Sequence, residues 1–401
     1  MKRTFKYRCY PTAAQVAELS RTFGCIRKVY NLALQTRTEA WNQRRKQIDY
    51  RATSALLTAW KRTEELAYLN EVSSVPLQQT LRHLQAAFYN FWAKRARYPR
   101  FKSRKKSRSS AEYTRSAFRW RDGVLTLAKM AEPLDIRWSR PMPEDAVPTT
   151  VTVSRDAAGR WFVSLLCEDP RVMPLPAADS VVGIDVGIDH LLVLSTGEKI
   201  ANPRHERRDR RTLARAQRAL CRKQIGSNNR AKARVEVGRV HARIADRRTD
   251  HLHKITTRLV RENQTLVIED LAVSNLIRNR RLARAIGDAG WGQFRHMLEY
   301  KSAWYGRKVI TVDRWFPSSK LCSDCGALAT AMPLNVRTWT CDCGATHDRD
   351  VNTARNILAA GLAVTVCGAD VRPQRNVPSG QSAAKQKALR REPQESPRPQ
   401  G

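Results

Sequence analysis

The spacing of apolar residues changes several times along the chain. Residues 1–10 alternate between apolar and polar positions, as in a β-strand. From there to about residue 95 the apolar residues return every three or four positions, as in Leu77, Leu81 and Leu84. This pattern predicts one strand followed by a helical bundle.

Between about residues 112 and 170 the chain returns to short alternating runs separated by turns. Residues 124–127 follow Asp122-Gly123, and residues 161–165 follow Ala158-Gly159. Dipeptides of this kind are typical of turns between strands, so we expect a small antiparallel sheet or barrel here. If residues 1–10 add a strand to it, the helical bundle is an insertion in a β domain.

Two later strands are strongly apolar and contain a carboxylate. The first begins at Val181 and contains Asp185 between two glycines, in the string G-I-D-V-G, and a second apolar run at residues 191–195 predicts a hairpin. The other strand is L-V-I-E, which ends at Glu269. A buried carboxylate costs free energy unless a positive group offsets it, and the glycines allow another backbone or a phosphate to approach closely.

Two segments are rich in basic residues. Residues 204–234 contain twelve Lys or Arg against two acidic residues, and an apolar stripe follows them, which predicts a basic helical hairpin. Residues 94–108 contain nine basic residues and no acidic one, with Tyr98 and Phe101 among them. Aromatic rings among cations favour contact with nucleic acid, and a solvated linker is the alternative.

The overall charge supports a polyanionic partner. The 401 residues include 73 Lys or Arg and 37 Asp or Glu, which gives a net charge of +36 and a pI near 10.7. Such a balance favours nucleic acid through counterion release, with membrane surfaces as the competing class. No apolar run approaches the roughly 20 residues of a membrane span, and the N-terminus lacks the apolar stretch of a secretory signal. We therefore expect a cytoplasmic, nucleoid-associated protein that binds no membrane.

Four of the nine cysteines form two close pairs. Cys322-x2-Cys325 and Cys341-x-Cys343 are separated by fifteen residues, and a glycine follows each pair. Four thiolates leave no open position for water, so the arrangement predicts one structural Zn²⁺ in a zinc ribbon. The second pair is one residue shorter than the usual C-x2-C, and replacement of one sulfur by His347 is the alternative.

A third acidic motif, D-R-D-V-N at residues 348–352, precedes a stretch with helical spacing. Taken alone, Asp350 is more simply a helix cap and Glu269 a salt-bridged strand end. Together with Asp185 they offer three carboxylates in a strongly basic protein, a set that suits Mg²⁺ or Mn²⁺. Two such ions activate water and stabilise the leaving oxygen of a phosphodiester.

These strings resemble a known family. G-I-D-V-G-I, V-I-E-D-L and D-R-D-V-N-T-A-R-N-I, in this order, are similar to the three segments of the RuvC-type nuclease domain in TnpB proteins of insertion sequences, which are relatives of type V CRISPR effectors. Residues 278–294 and 316–326 add to the resemblance. It extends from Tyr10 to about residue 366.

The resemblance implies a multidomain α+β fold. Its parts are a β-barrel wedge domain (1–10 and 111–178), a helical recognition domain (11–110), an RNase H-like (RuvC) α/β nuclease domain (179–314 and 346–366), an inserted zinc ribbon (315–345) and a disordered tail (367–401). It also implies that Asp185, Glu269 and Asp350 are catalytic and hold two Mg²⁺ or Mn²⁺ ions, with Asp348 as the second candidate in its motif. Because all three acidic positions are filled, the sequence argues against the family's nuclease-dead relatives.

The family implies an RNA-guided DNA endonuclease that is encoded by a transposable element and cuts double-stranded DNA beside a short duplex motif. The expected partners are a guide RNA and target DNA, with one protein monomer per RNA and a dimer as the alternative. Tyr50 and Gln78 are candidates for reading the motif, because Gln pairs with adenine in a groove. Basic candidates for phosphate contact are Lys102, Lys105, Arg207, Arg208, Arg211, Arg278, Arg280 and Arg281.

Two other functions are compatible with parts of the pattern. A RuvC-like nuclease or transposase that acts without RNA needs the same acids but not so large a basic helical insertion. A nuclease-dead RNA-guided protein, or a zinc-ribbon DNA-binding regulator, does not need the filled acidic triad.

Overall fold

The computed structural model describes residues 1–104, 107–144, 146–333 and 335–367. Its contacts divide the chain into two compact units, one of Met1–Val172 with Arg215–Ala242 and one of Met173–Ala214 with the chain from Arg243 onward. Both contain helices and strands, so the predicted α+β class is confirmed. The finer domain boundaries remain predictions, and the tail predicted to be disordered lies outside the described residues apart from Cys367.

The secondary structure follows the predicted alternation. The described helices are α1 (Ala13–Arg44), α2 (Tyr50–Trp60), α3 (Ser74–Trp92), α4 (His205–Cys221), α5 (Asn228–Glu262), α6 (Val273–Leu276), α7 (Ala283–Ala289), α8 (Trp291–Tyr305) and α9 (Arg349–Cys367). The strands are β1 (Lys2–Cys9), β2 (Ser109–Thr114), β3 (Phe118–Arg121), β4 (Val124–Leu127), β5 (Ile136–Arg137), β6 (Thr150–Arg155), β7 (Trp161–Glu168), β8 (Val181–Val186), β9 (His190–Leu194), β10 (Lys199–Ala201), β11 (Thr265–Glu269), β12 (Lys308–Val312), β13 (Thr338–Thr340) and β14 (Thr346–Asp348). Among the described helices, none has both the length and the apolar character that a bilayer span requires.

The first unit contains an antiparallel sheet with the strand order β2-β6-β7-β1-β5. β1 pairs with β7 along its whole length, from Lys2 opposite Glu168 to Cys9 opposite Trp161. The helices α1 to α3 therefore lie in sequence between two strands of one sheet. Thr12 and Gln15 form a capping box that begins α1, and one apolar core joins the sheet to α1 and α3.

This sheet is open among the described residues; the sequence pattern predicts a small antiparallel sheet or barrel, and the family resemblance implies a barrel. In the part of the chain that is described, β2 and β5 each pair with one neighbour, and β3 and β4 form a separate hairpin. β5 has only two residues, and Pro141 and Pro143 follow it; proline lacks the N–H that would extend a ladder. The predicted turn at Asp122-Gly123 is confirmed, since both residues have positive φ angles, 47° and 78°.

The second unit contains a mixed sheet with the order β10-β9-β8-β11-β12. β8 and β9 form the predicted antiparallel hairpin, whereas β8, β11 and β12 run parallel to one another. Ile184 and Ile268 face a core formed with α5 and α8, and Val267 and Ile310 face Ile357 of α9 on the opposite side. The sheet is thus covered by helices on both faces.

The helix α9 lies very close to the strand that carries Asp185. A Cβ atom built on Gly183 would lie 2.2 Å from the carbonyl oxygen of Ala354 and 2.8 Å from the Cβ of Leu358. At Gly361, on α9 itself, a Cβ would lie 2.3 Å from a methyl of Val267. The sequence-based expectation that a glycine beside Asp185 admits another backbone is confirmed at Gly183.

We expect Gly183→Ala to lower the free energy of unfolding by about 1–3 kcal/mol, because the new methyl overlaps a backbone carbonyl that cannot move aside. The measurement is thermal or denaturant unfolding. Gly24→Ala is the matched control, since no atom lies within 4 Å of its Cβ position inside α1; we expect a gain of about 1 kcal/mol there. Equal stability of Gly183→Ala and the unsubstituted protein would contradict the close packing.

Candidate active site and zinc cluster

Asp185 and Glu269 lie at the carboxyl ends of adjacent parallel strands. Ile184 is opposite Ile268 in the register of β8 and β11, so the next residue of each strand lies at the same level. Side chains alternate across a sheet, and the two isoleucines face the α5 side. The two carboxylates therefore face α9, and both remain partly accessible to solvent.

Asp350 reaches the same edge from the first turn of α9. It precedes Ala354 by one helical turn, about 6 Å along the axis, and Asp185 follows Gly183 by about 6.6 Å along the strand. Because Ala354 packs on Gly183, these nearly equal steps bring Asp350 level with Asp185. The sequence places Asp350 before the helix, whereas in the structure it lies inside the first turn.

The three acidic groups influence one another. Burial raises the pKa of Asp185 to about 7, with the charges of Asp350 and Glu269 acting in the same direction. Burial also raises the pKa of Glu269, while a hydrogen bond from the Ser318 hydroxyl acts against it. A raised carboxylate pKa means that the anion is poorly stabilised by its surroundings. The cluster therefore favours a bound cation.

The neighbouring acid Asp348 has other partners. Its Oδ1 accepts the Val351 N–H at 3.1 Å, which makes it the cap of α9, and its Oδ2 receives Lys199 Nζ at 2.6 Å. Burial alone would raise its pKa, but Lys199 and the backbone donors hold it below the usual value. The capping role that the sequence allows for Asp350 belongs to Asp348, and Asp350 is left with an ion pair to Arg337 at 3.6 Å.

Two asparagines that the sequence analysis did not explain fix the start of α9. Asn352 accepts the Ser323 N–H at 2.9 Å and donates to the Leu321 carbonyl at 2.7 Å. Asn356 donates to the carbonyls of Ser318 and Leu321 at 2.9 and 2.6 Å. Both amides are almost fully buried. They join the helix that carries Asp350 to the loop that carries the first cysteine pair.

A salt-bridge group surrounds Asp270, the residue after Glu269. Arg295 contacts its Oδ1 at 2.7 Å, and Arg314 contacts its Oδ2. Burial alone would raise the pKa of Asp270, but the two arginines hold it below its usual value. The charge of Asp270 is therefore balanced by two arginines, whereas none of the described residues forms an ion pair with Glu269. Sequence spacing gives no sign of these partners, which are 25 and 44 residues away.

The four clustered cysteines converge as predicted, with their sulfur atoms all within 4.8 Å of one another. The Sγ atoms of Cys322 and Cys343 are 3.8 Å apart, and those of Cys325 and Cys341 are 3.6 Å apart. A tetrahedral zinc site with Zn–S bonds of about 2.3 Å has sulfurs about 3.8 Å apart. The cluster fits a zinc ribbon. In the described chain no other group of three or more Cys, His, Asp or Glu is gathered as closely for a metal, and this includes the three carboxylates.

His347 lies beside this cluster. Its Nε2 is 3.0 Å from Cys322 Sγ, and its ring is buried against Trp339. Burial would raise the pKa of Cys322, but the N–H groups of Cys325 and Asp324 and the His347 ring lower it to about 6. With four sulfurs already at tetrahedral spacing, His347 is placed to hydrogen-bond a ligand sulfur.

The chain is similar to several known proteins. Residues 164–280 match a family described as a probable transposase, residues 291–357 a Cas12f1-like TNB domain, and residues 1–46 a helix-turn-helix domain. A putative RNA-guided DNA endonuclease of Streptomyces pristinaespiralis is 68% identical over 391 residues, 97% of each chain. The chain belongs to the TnpB family.

A further relative supports the TnpB assignment, and one solved structure shares the fold. The putative RNA-guided DNA endonuclease InsQ of Escherichia coli K12 is 36% identical and covers 92% of this chain and 95% of its own. A solved structure titled as a Cas12f1–sgRNA–target DNA complex has a TM-score of 0.56 at 13% identity, covering 89% of this chain and 98% of that one. This structural likeness concerns the fold alone.

The TnpB chain presents most of the predicted basic candidates to solvent. The exposed arginines, which have no ion-pair partner among the described residues, are Arg207, Arg208, Arg211, Arg278, Arg280 and Arg281. Lys102 differs: its ammonium lies 4.0 Å from the centre of the Tyr30 ring, and burial lowers its pKa. Lys105 lies outside the described residues.

The two motif-reading candidates lie near each other. Tyr50 begins α2, and its hydroxyl accepts a hydrogen bond from Arg82 Nε at 3.4 Å on α3. Gln78 is exposed and precedes Arg82 by four residues, so the two share one face of α3. Arg82 was not singled out from the sequence. Nothing else in the structure tests the roles of Tyr50 and Gln78.

We expect Cys322→Ser to reduce the zinc content below one ion per chain and to lower the melting temperature, because one thiolate ligand is lost. Zinc is measured by elemental analysis of the purified protein. Cys221→Ser is the control, since this exposed thiol lies outside the cluster. His347→Gln should retain the zinc; a loss equal to that of Cys322→Ser would make the histidine a ligand.

Proposed function

We propose that this chain is an RNA-guided DNA endonuclease in which Asp185, Glu269 and Asp350 bind the catalytic metal ions. The observation that carries the proposal is the convergence of these three acids at one sheet edge, where burial and mutual repulsion raise the pKa of Asp185 to about 7. Repelling carboxylates are stabilised by a shared cation. The 68% identical relative bears the name of such an endonuclease.

The donor atoms fit Mg²⁺ or Mn²⁺. All three groups offer carboxylate oxygens, the ligands that hard divalent ions prefer. Two ions about 3.5–4 Å apart need ligands that are spread over a larger space than the four ligands of a single ion. The three acids are indeed grouped less closely than the four cysteines. When bound, such ions activate water and stabilise the leaving oxygen of a phosphodiester.

The protein's own side chains hold the carboxylates in place. Ser318 lies beside Glu269 and its hydroxyl lowers the pKa of that carboxyl, and the Asp348 cap and the Asn352 amide fix the start of α9, which carries Asp350. Because Asp348 is engaged with Lys199 and the Val351 N–H, we assign the metal-binding role in this motif to Asp350 rather than to Asp348.

The remaining parts follow the family. We assign the RuvC-like nuclease domain to residues 179–314 and 346–366, with the zinc ribbon inserted at 315–345; most of these residues lie in the second unit, and Arg215–Ala242 group with the first. Cys322, Cys325, Cys341 and Cys343 hold one structural Zn²⁺. The first unit corresponds to the wedge and helical recognition domains. The proposed partners are a guide RNA and double-stranded target DNA, bound through the net charge of +36 and the exposed arginines. Tyr50 and Gln78 are proposed to meet the duplex motif.

We expect Asp185→Ala and Glu269→Ala to abolish DNA cutting while RNA and target binding persist, because each removes a metal ligand without touching the basic surface. The assay is cleavage of a plasmid target together with a binding measurement. Asp348→Asn is the matched control: Asn caps a helix as well as Asp, so only the ion pair with Lys199 is lost, and we expect a cost of at most about 1 kcal/mol of stability and retained cutting. Full cutting by Asp185→Ala, or none by Asp348→Asn, would contradict the assignment.

We also expect the purified protein to carry RNA, and the sequence of that RNA to determine the cut site. The measurement is sequencing of the copurified RNA, followed by cleavage with the protein reconstituted on RNA of altered guide sequence. Cutting that follows the guide supports RNA guidance. Cutting of the same DNA without RNA would instead indicate a RuvC-like nuclease that acts alone.

A further inference from the structure

We propose that Trp315 stacks on a base of the DNA strand to be cut and so positions that strand beside the catalytic carboxylates. This inference rests on the proposed function and adds a substrate-binding residue to its site. The residue follows β12 on the stretch that leads to the zinc cluster.

Trp315 is the most exposed large hydrophobic side chain in the described chain, with 80% of its surface accessible to solvent. Scattered surface hydrophobics are ordinary, but an indole offers a large apolar face whose burial is strongly favourable. No aromatic ring of the described residues packs on it. Its face is therefore free to receive a planar ligand.

The backbone that carries Trp315 is held firmly on both sides. The Trp315 N–H donates to Asp313 Oδ1 at 2.8 Å, and the Phe316 N–H donates to the Asp313 carbonyl at 3.1 Å. Arg314 forms an ion pair with Asp270, and Phe316 packs against the core beneath α9. A turn fixed in this way presents the indole without the entropic cost of ordering a loop on binding.

The same segment contacts Glu269 at two points. Val312 is opposite Glu269 in the register of β11 and β12, and Ser318 lies close enough to Glu269 for its hydroxyl to lower the pKa of that carboxyl. Trp315 lies three residues from each, so at most about 10 Å of chain separates it from either contact. A base stacked on this ring belongs to a nucleotide close to the bond that is cut.

The proposed occupant is a base because the ring lies beside the proposed cleavage site, and local charge does not decide it. Arg314 and Arg295 are paired with Asp270, and Arg295 also with Glu299, whereas Lys320 in the same segment is exposed. Stacking on an aromatic ring accepts any base, because every base has a π-face. That tolerance suits an enzyme whose cut site is set by its guide rather than by base contacts.

The first test is the rate of single-turnover cutting by the full protein–RNA complex at saturating target DNA. Trp315→Ala should slow cutting about 5- to 150-fold, the range expected for loss of one base–aromatic stack, while Trp315→Phe retains most of the rate. Met173→Ala is the control, since this side chain is 65% exposed and lies outside the site. Melting temperature and target affinity should be unchanged in all three variants.

The second test detects the contact itself. Target DNA carrying 2-aminopurine at successive positions near the cut site is bound to the cutting-deficient Asp185→Ala complex, with and without Trp315→Ala. We expect fluorescence quenching at one or a few positions that disappears when the indole is removed. Identical fluorescence of both complexes at every position would overturn the proposal.

The outcomes separate this inference from the function on which it rests. If Asp185→Ala is inactive and Trp315→Ala cuts at the full rate, the stacking role is wrong and the nuclease assignment stands. If Trp315→Ala and Trp315→Phe are equally slow and both melt earlier, Trp315 has a structural role and the proposal fails. If Asp185→Ala still cuts, the proposed function itself fails.

Discussion

The candidate site depends on the direct packing of the α9 backbone against Gly183. The carbonyl of Ala354 occupies the space where any other residue at position 183 would place its Cβ. Asp185 lies two residues after Gly183 on β8, and Asp350 lies four residues before Ala354 on α9. The two acids are thus at nearly equal distances from this contact, at the same edge of the sheet. Since the parallel register places Glu269 level with Asp185, one glycine and one strand pairing bring together acids that are 84 and 81 residues apart in sequence. Removal of either would separate them.

The acids at this edge differ in their partners, and the difference indicates their roles. Asp348 has a helix N-terminus and Lys199, and Asp270 has two arginines, so their charges are balanced by the protein. Asp185 has no such balance, because its strongest neighbouring charges are the other two acids of the triad. A protein does not keep unbalanced, partly buried anions for stability. This imbalance at Asp185 supports the proposal that an external cation binds here, and local electrostatics thus distinguishes adjacent acids that sequence alone treats alike.

The sequence predicted much of this arrangement because its signals are local. The β8–β9 hairpin, the Asp122-Gly123 turn and the cysteine pairs follow from short sequence patterns, and the glycines near Asp185 predict the close approach of another backbone. The sequence did not decide between an open sheet and a barrel, since strand alternation shows which face is buried but not whether the edges meet. The sequence did not predict the arginine partners of Asp270 or the burial of Lys102 against Tyr30, because contacts between residues far apart in sequence produce no periodic pattern. Trp315 gave no signal, as a single aromatic residue is equally common in a core.

Hydrogen bonds of two buried asparagines connect the cysteine cluster to the acidic site. The Ser323 N–H, next to Cys322, donates to Asn352, which lies two residues after Asp350, and the Leu321 carbonyl receives both Asn352 and Asn356. A metal ion that ordered the cysteine loop would therefore also order the Ser323 N–H and the Leu321 carbonyl, which hold the first turns of α9. These amides are buried, so loss of their partners would leave unsatisfied polar groups at a cost of about 1–3 kcal/mol each. The free energy of binding of the proposed zinc ion would in this way be coupled to the position of Asp350, which the zinc itself would not touch.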